Sequence, residues 1–210
     1  LSHQEAHAKL VELGSKIPWK TWPGELRQVF QQTARMLAAE GVAPAFPPIL
    51  YIEPTNACNC NCVICPRQNM TRPSGWMDMG LFQRIIESAA ALGPSDVHLF
   101  NFGEPILHPQ LSGMVRCCVQ NQLKASLQTN GLVIDEDQIR SLLDAGLSYI
   151  GVSVNGLTAE EYEAIRPGHS FQRILQNVAR LRSIIDQAGA SCVLHIAAQI
   201  LKNESDAREA

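Results

Sequence analysis

From residue 49 onward, short apolar runs alternate with amphipathic stretches, and the alternation predicts strand then helix repeatedly along the chain. Ile49–Glu53 reads as a strand, and Met79–Leu92 as a helix ended by Gly93-Pro94. Asp96–Asn101, Lys124–Gln128, Ser148–Val154 and Ser191–Ile200 are the further strands. Between them lie helices over Pro109–Asn121, Asp135–Ala145, Thr158–Ile165 and Phe171–Ala188. Strands alternating with helices imply parallel βαβ units, an α/β fold. Right-handed crossovers curl such units into a doubly wound sheet or a barrel, and the spacing alone does not choose between them. Upstream the texture differs. Leu26, Val29, Phe30, Thr33, Met36 and Leu37 recur at helical spacing before Gly41, and Pro44, Pro47 and Pro48 then break the pattern. Residues 1–47 are therefore expected to form an N-terminal helical extension, with 48–210 as the main domain. Leu201–Ala210 is polar, so the alternation stops after the fifth strand.

Composition adds mainly exclusions. At 210 residues the chain is long enough for one domain with a substantial core. A net charge of −3 supplies no basic field for a nucleic-acid backbone. No apolar run approaches the ~18 residues a membrane helix needs, and Leu1–Leu13 lacks the apolar core of a signal peptide. The expected setting is cytoplasmic, with neither membrane nor nucleic acid as partner.

The seven cysteines change the picture most, through placement. Cys58, Cys60, Cys62 and Cys65 crowd into a loop directly after the first strand, where parallel α/β folds collect their sites. A secreted disulfide scaffold would spread its cysteines more evenly. Cys58, Cys62 and Cys65 are spaced C-x3-C-x2-C, which lets a short loop offer three thiolates to three corners of a cubane cluster, leaving one iron open. The competing reading is a closed structural zinc site that takes Cys60 as fourth ligand.

Glu53-Pro54-Thr55-Asn56-Ala57-Cys58-Asn59-Cys60-Asn61-Cys62-Val63-Ile64-Cys65 resembles the cluster loop of the radical S-adenosylmethionine (radical SAM) superfamily, in the style of its MoaA/PqqE/SPASM-like cores. It departs at Cys60, which stands where an apolar residue, often leucine, usually sits. Three strand ends extend the likeness. Asn101-Phe102-Gly103-Glu104-Pro105 resembles the family's G-G-E-P segment, with Phe102 in place of the first glycine. Gln128-Thr129-Asn130-Gly131 resembles its T-N-G turn, and Val152-Ser153-Val154-Asn155-Gly156 its S-x-D-G segment, with Asn155 for the common aspartate. Arg166 lies near the position where several members carry an arginine for the cofactor carboxylate, a role suited to a guanidinium fork.

The resemblance implies a partial (β/α)6 TIM-type barrel that lacks its last strand or strands. It implies a 4Fe-4S cluster on Cys58, Cys62 and Cys65, and S-adenosyl-L-methionine bound by Gly103, Glu104, Gln128, Asn130, Ser153 and Arg166. The implied activity is reductive cleavage of that cofactor to a 5′-deoxyadenosyl radical, which takes hydrogen from a small molecule or a peptide. Oxidation, epimerisation and peptide modification all begin this way. An electron donor such as flavodoxin or ferredoxin is the implied partner. The alternative from another class is a non-catalytic zinc or iron–sulfur module. Cys117 and Cys118 are expected to be packing residues, and Trp19, Trp22 and Trp76 covers for core edges. His195, by strand alternation, is expected to face the barrel interior, either as a satisfied core histidine or as a substrate contact. His98 and His108 carry no assigned role.

Overall fold

The computed structural model describes residues 49–92 and 96–199. Five strands form one sheet: β1 (Ile49–Ile52), β2 (Asp96–Leu99), β3 (Lys124–Thr129), β4 (Tyr149–Asn155) and β5 (Val193–Gln199). All neighbours are parallel and the spatial order is β1-β2-β3-β4-β5. The connecting helices are α1 (Met79–Leu92), α2 (Leu111–Gln120), α3 (Glu136–Asp144), α4 (Ala159–Ile165) and α5 (Phe171–Gln187).

That order settles the choice the spacing left open. A doubly wound sheet reverses its strand order so that helices cover both faces. Here the order never reverses, so right-handed crossovers place every connection on the same side. The fold is α/β with a five-stranded parallel sheet, consistent with a partial barrel. The expected extension over residues 1–47 lies outside the described residues.

The helix-side face is the core. Ile52, Val97, Leu99, Ala125, Leu127, Ile150, Val152 and Val154 point to it and are buried. They meet Phe82 and Ile86 of α1, Met114, Val115 and Cys118 of α2, Ile139 and Leu142 of α3, and Ile174, Leu181 and Ile185 of α5. Each helix contributes one apolar stripe, as period 3.6 requires. Local signals set the starts. Asp135 Oδ1 accepts the Gln138 amide at 2.8 Å, and Thr158 with Glu161 forms a capping box.

The opposite face has another composition. Tyr51, His98 and Phe100 pack ring to ring there, with centroids 5.0–6.0 Å apart. Tyr149 stacks on His195 at 5.8 Å. β5 alternation turns His195 away from the helices, onto the face expected, but it is exposed there and is not a satisfied core histidine. Trp76 is also exposed, at 58%. Its backbone bridges to Thr55, so the chain here is anchored by main-chain pairing and not by the indole. Trp19 and Trp22 lie outside the described residues. Cys117 and Cys118 pack in α2 as expected. His108 is buried and structural. Its Nε2 lies 3.1 Å from the Met77 carbonyl and its Nδ1 accepts the Gln110 amide.

Candidate active site

The cysteine loop leaves β1 and is shaped by its own polar residues. The Thr55 hydroxyl donates to the Gly75 carbonyl at 2.6 Å and accepts the Ala57 amide at 3.0 Å. The Asn56 amide donates to the Pro73 carbonyl and its oxygen accepts the Gly75 amide. Both side chains are buried and satisfied, so they hold the entry to the loop in one conformation. At the far end, Val63 N–H donates to the Ile165 carbonyl at 2.9 Å. Arg67 donates to the Cys60 carbonyl, and Gln68 to that of Cys62.

The end of β2 docks directly onto this loop. Glu104 N–H donates to the Ala57 carbonyl at 2.8 Å. A Cβ at Gly103 would lie 1.8 Å from the Thr55 carbonyl oxygen, so only glycine permits the approach. The Glu104 carboxylate points into the protein, where it accepts Ile106 N–H at 3.2 Å and Asn130 N–H at 2.6 Å. Burial pushes its pKa up, against the pull of those amides.

Asn130, at the end of β3, is the hub. Its side-chain amide donates to Asn59 at 2.7 Å and lies 3.8 Å from Cys58 Sγ. Its oxygen accepts Leu132 N–H, and its carbonyl accepts Arg166 Nη1 at 2.9 Å. Gly131 follows at φ +69°, with Ile174 and Val152 already filling the space a Cβ would take. Gln128 Nε2 donates to Ser153 Oγ at 2.8 Å, linking the ends of β3 and β4. Gly151 leaves the room for the Gln128 side chain to lie across β4.

Arg166, just after α4, is only 2% exposed. Its fork is committed to protein acceptors: Asn155 Oδ1 at 2.7 and 3.2 Å, the Ser153 carbonyl at 2.7 Å, and Asn130. Its guanidinium carbon lies 5.4 Å from the Tyr162 ring centroid. In this arrangement the fork braces the ends of β3 and β4. Of the nine predicted site residues, the structure gathers all at one end of the sheet. Thr55, Asn56, Asn155 and Tyr162 join them. Sequence reasoning assigned these four no role, though Thr55-Asn56 precede the first cysteine and Tyr162 stands four residues before Arg166, on the same helix face.

The thiols separate by environment. Cys58, Cys62 and Cys65 are half-buried and free, whereas Cys60 is buried with its Sγ 3.3 Å from Cys62 Sγ. A hydrogen bond from Cys60 holds the Cys62 thiol below the usual range, helped by the Arg166 and Arg67 charges. The same contact, with burial, pushes Cys60 up. Burial also raises Cys58. Three accessible soft ligands on one loop, with a fourth thiol kept protonated, suit a cluster whose sulfurs sit on separate irons. The donor set, three half-buried thiols on one loop, fits a cluster held by three cysteines.

Residues 52–208 match the Radical SAM superfamily. This chain belongs to the radical SAM superfamily. Membership implies a 4Fe-4S cluster and S-adenosylmethionine. Among similar proteins, the PqqA peptide cyclase of Gluconobacter oxydans is 32% identical over 123 residues, covering 58% of this chain and 34% of the relative. The GTP 3′,8-cyclase of Chlorobaculum tepidum is 27% identical over 132 residues, 62% of this chain and 39% of that one. Streptococcus suis SuiB bound to S-adenosylmethionine superposes with a TM-score of 0.61 at 16% identity, over 98% of this chain and 47% of that chain. That likeness is one of fold. The matches span less than half the length of each of these relatives. Beside the cysteine loop, an open pocket of about 390 Å³ lies between Asn59, Leu132, His169 and Arg173. No helix among the described residues is long and apolar enough to cross a membrane.

Proposed function

We propose that this chain carries the catalytic core of a radical SAM enzyme acting on a small molecule or a peptide. In this reading Cys58, Cys62 and Cys65 hold the 4Fe-4S cluster. When bound, the cluster and S-adenosylmethionine together supply a 5′-deoxyadenosyl radical that abstracts hydrogen from the substrate. Flavodoxin or ferredoxin serves as electron donor.

The observation that carries the reading is the meeting of three chain segments on the cysteine loop, through Gly103 on Thr55, Asn130 on Asn59 and Cys58, and the Ile165 carbonyl on Val63. The residues divide their work. Gly103 lets the β2 end stand against the loop, presenting backbone groups toward the cofactor. Glu104 orders that edge from inside by fixing Ile106 and Asn130. Gln128 Oε1 and the Ser153 hydroxyl proton are the groups their mutual bond leaves available for the cofactor. Arg166 positions Asn130 and Ser153. The nearby pocket offers room for part of the cofactor. The aromatic and histidine face made by Tyr51, His98, Tyr149 and His195 suits substrate, since it lies on the interior side of the sheet. The peptide and nucleotide substrates named for the cyclase relatives are consistent with either class.

The test is anaerobic purification and reconstitution with iron and sulfide, then reduction in the presence of S-adenosylmethionine. The expected result is brown protein that forms 5′-deoxyadenosine, both lost in Cys58→Ala. An iron-loaded sample that forms none sinks the catalytic reading. Stoichiometric zinc without cofactor binding would favour a structural module.

A further inference from the structure

Two buried polar groups next to the cysteine loop lack the partners their chemistry demands. The first is Arg166. All of its hydrogen-bond acceptors are neutral: the Asn155 amide oxygen and the carbonyls of Asn130 and Ser153. None of the ion pairs among the described residues includes it. Glu104 acts on it by charge, but its carboxylate oxygens accept the Ile106 and Asn130 amides and form no direct ion pair with it. A fully buried guanidinium without a direct ionic partner is costly.

The second is the Tyr162 hydroxyl. Tyr162 is 0% exposed, and its oxygen is the one buried side-chain polar atom among the described residues without a hydrogen-bond partner. An orphaned buried hydroxyl costs about 1–3 kcal/mol. The Arg166 guanidinium lies over the ring face and bears on the hydroxyl by charge and proximity, but no partner meets the hydroxyl in good hydrogen-bond geometry. Arg166 reaches the cysteine loop through Asn130, whose carbonyl accepts Arg166 Nη1 at 2.9 Å and whose side-chain amide lies 3.8 Å from Cys58 Sγ. The residue before Arg166 is pinned to the loop by Val63 N–H on the Ile165 carbonyl, so this pair and the cysteines are held as one unit.

We infer that Arg166 and Tyr162 are the buried charge and hydrogen-bond complement of the anionic cluster, and that together they raise its reduction potential. The inference rests on the reading that Cys58, Cys62 and Cys65 hold a cluster. Reduction adds one electron, hence one negative charge, with no bond made or broken. A buried cation and an O–H donor both stabilise the more negative state, and charge and hydrogen bonding are the protein's levers on cluster potential. Asn155 matters to this arrangement. It binds the guanidinium as an aspartate would, yet leaves its charge intact.

The experiment is a dithionite titration of the reconstituted full chain, followed by electron paramagnetic resonance, with iron content measured on each sample. Asn155→Asp, which keeps the acceptor but neutralises the cation, is expected to move the midpoint to more negative potential at unchanged iron. Tyr162→Phe, which keeps the ring and removes only the hydroxyl, is expected to move it the same way by less. Asn155→Asp also guards against a folding defect in Tyr162→Phe, and circular dichroism checks both. Both variants loading iron normally with midpoints equal to the parent would overturn the inference while leaving the cluster assignment standing. A parent chain that binds no cluster, or keeps it after Cys58→Ala, defeats the underlying reading instead.

Discussion

Two groups of cysteines in this chain share a side chain and little else. Cys117, Cys118 and Cys192 are buried against apolar neighbours, and burial pushes their thiols up, Cys118 to about 12 and Cys192 to about 11. Cys58, Cys62 and Cys65 are half-buried on a loop at the strand ends. There Cys60 donates to Cys62, and arginine charge favours the thiolate. The difference teaches that the residue type does not confer metal chemistry. What confers it is a position with access, a positive field and backbone fixed by neighbours that are not ligands.

The sharpest way to break the contrast is to exchange consequences between the groups. Cys58→Ala, Cys62→Ala or Cys65→Ala should each abolish cluster loading, read as iron per chain, at little cost to the helical fold seen by circular dichroism. Next in size is Gly103→Ala, whose Cβ must displace the Thr55 backbone. It should destabilise the chain by at least about 1–3 kcal/mol in denaturant unfolding and lower iron content, although it removes no ligand. Cys118→Ala should do the reverse, losing about 1 kcal/mol of stability with iron unchanged. If Cys118→Ala lost iron selectively, the division between the groups would be wrong.

The smallest effect concerns Cys60. Cys60→Leu should leave iron content intact, since Cys60 is no ligand in this reading. In the metal-free chain it should also shift the alkylation of Cys62. With Cys60 donating, the Cys62 thiolate forms at lower pH than an ordinary thiol, so its labelling rate rises early as pH increases. Removing the donor should move that rise to higher pH, toward the usual ~8–9. Iron loss in Cys60→Leu, with retention in Cys58→Ala, would reverse the ligand assignment.

Much of this was legible in the linear pattern. Strand and helix positions were readable to within a residue or two, because the apolar period changes from 2 to 3.6 and glycine or proline marks the breaks. The end of β2 shows the margin: the strand stops at Leu99 and not Asn101, since the chain turns there for Gly103 to reach Thr55. For His195, alternation gave the face but not the exposure, which depends on what else covers the sheet. The motif residues were legible one strand end at a time. Their division of labour was not: nothing in Glu104 or Arg166 as letters shows that both point inward and work through Asn130.

By itself, the sequence determined the parallel α/β character, the three-cysteine spacing and the glycine at residue 103, because each is imposed by local periodicity or by a backbone approach that one residue type permits. Only the tertiary structure decided which way the sheet runs, which acceptors Arg166 uses and that the Tyr162 hydroxyl is left unpaired. Those depend on groups such as Tyr162, Asn130 and Cys62 meeting across distant segments. A buried charge or hydroxyl acquires its meaning from what surrounds it in space, and sequence separation carries no record of that.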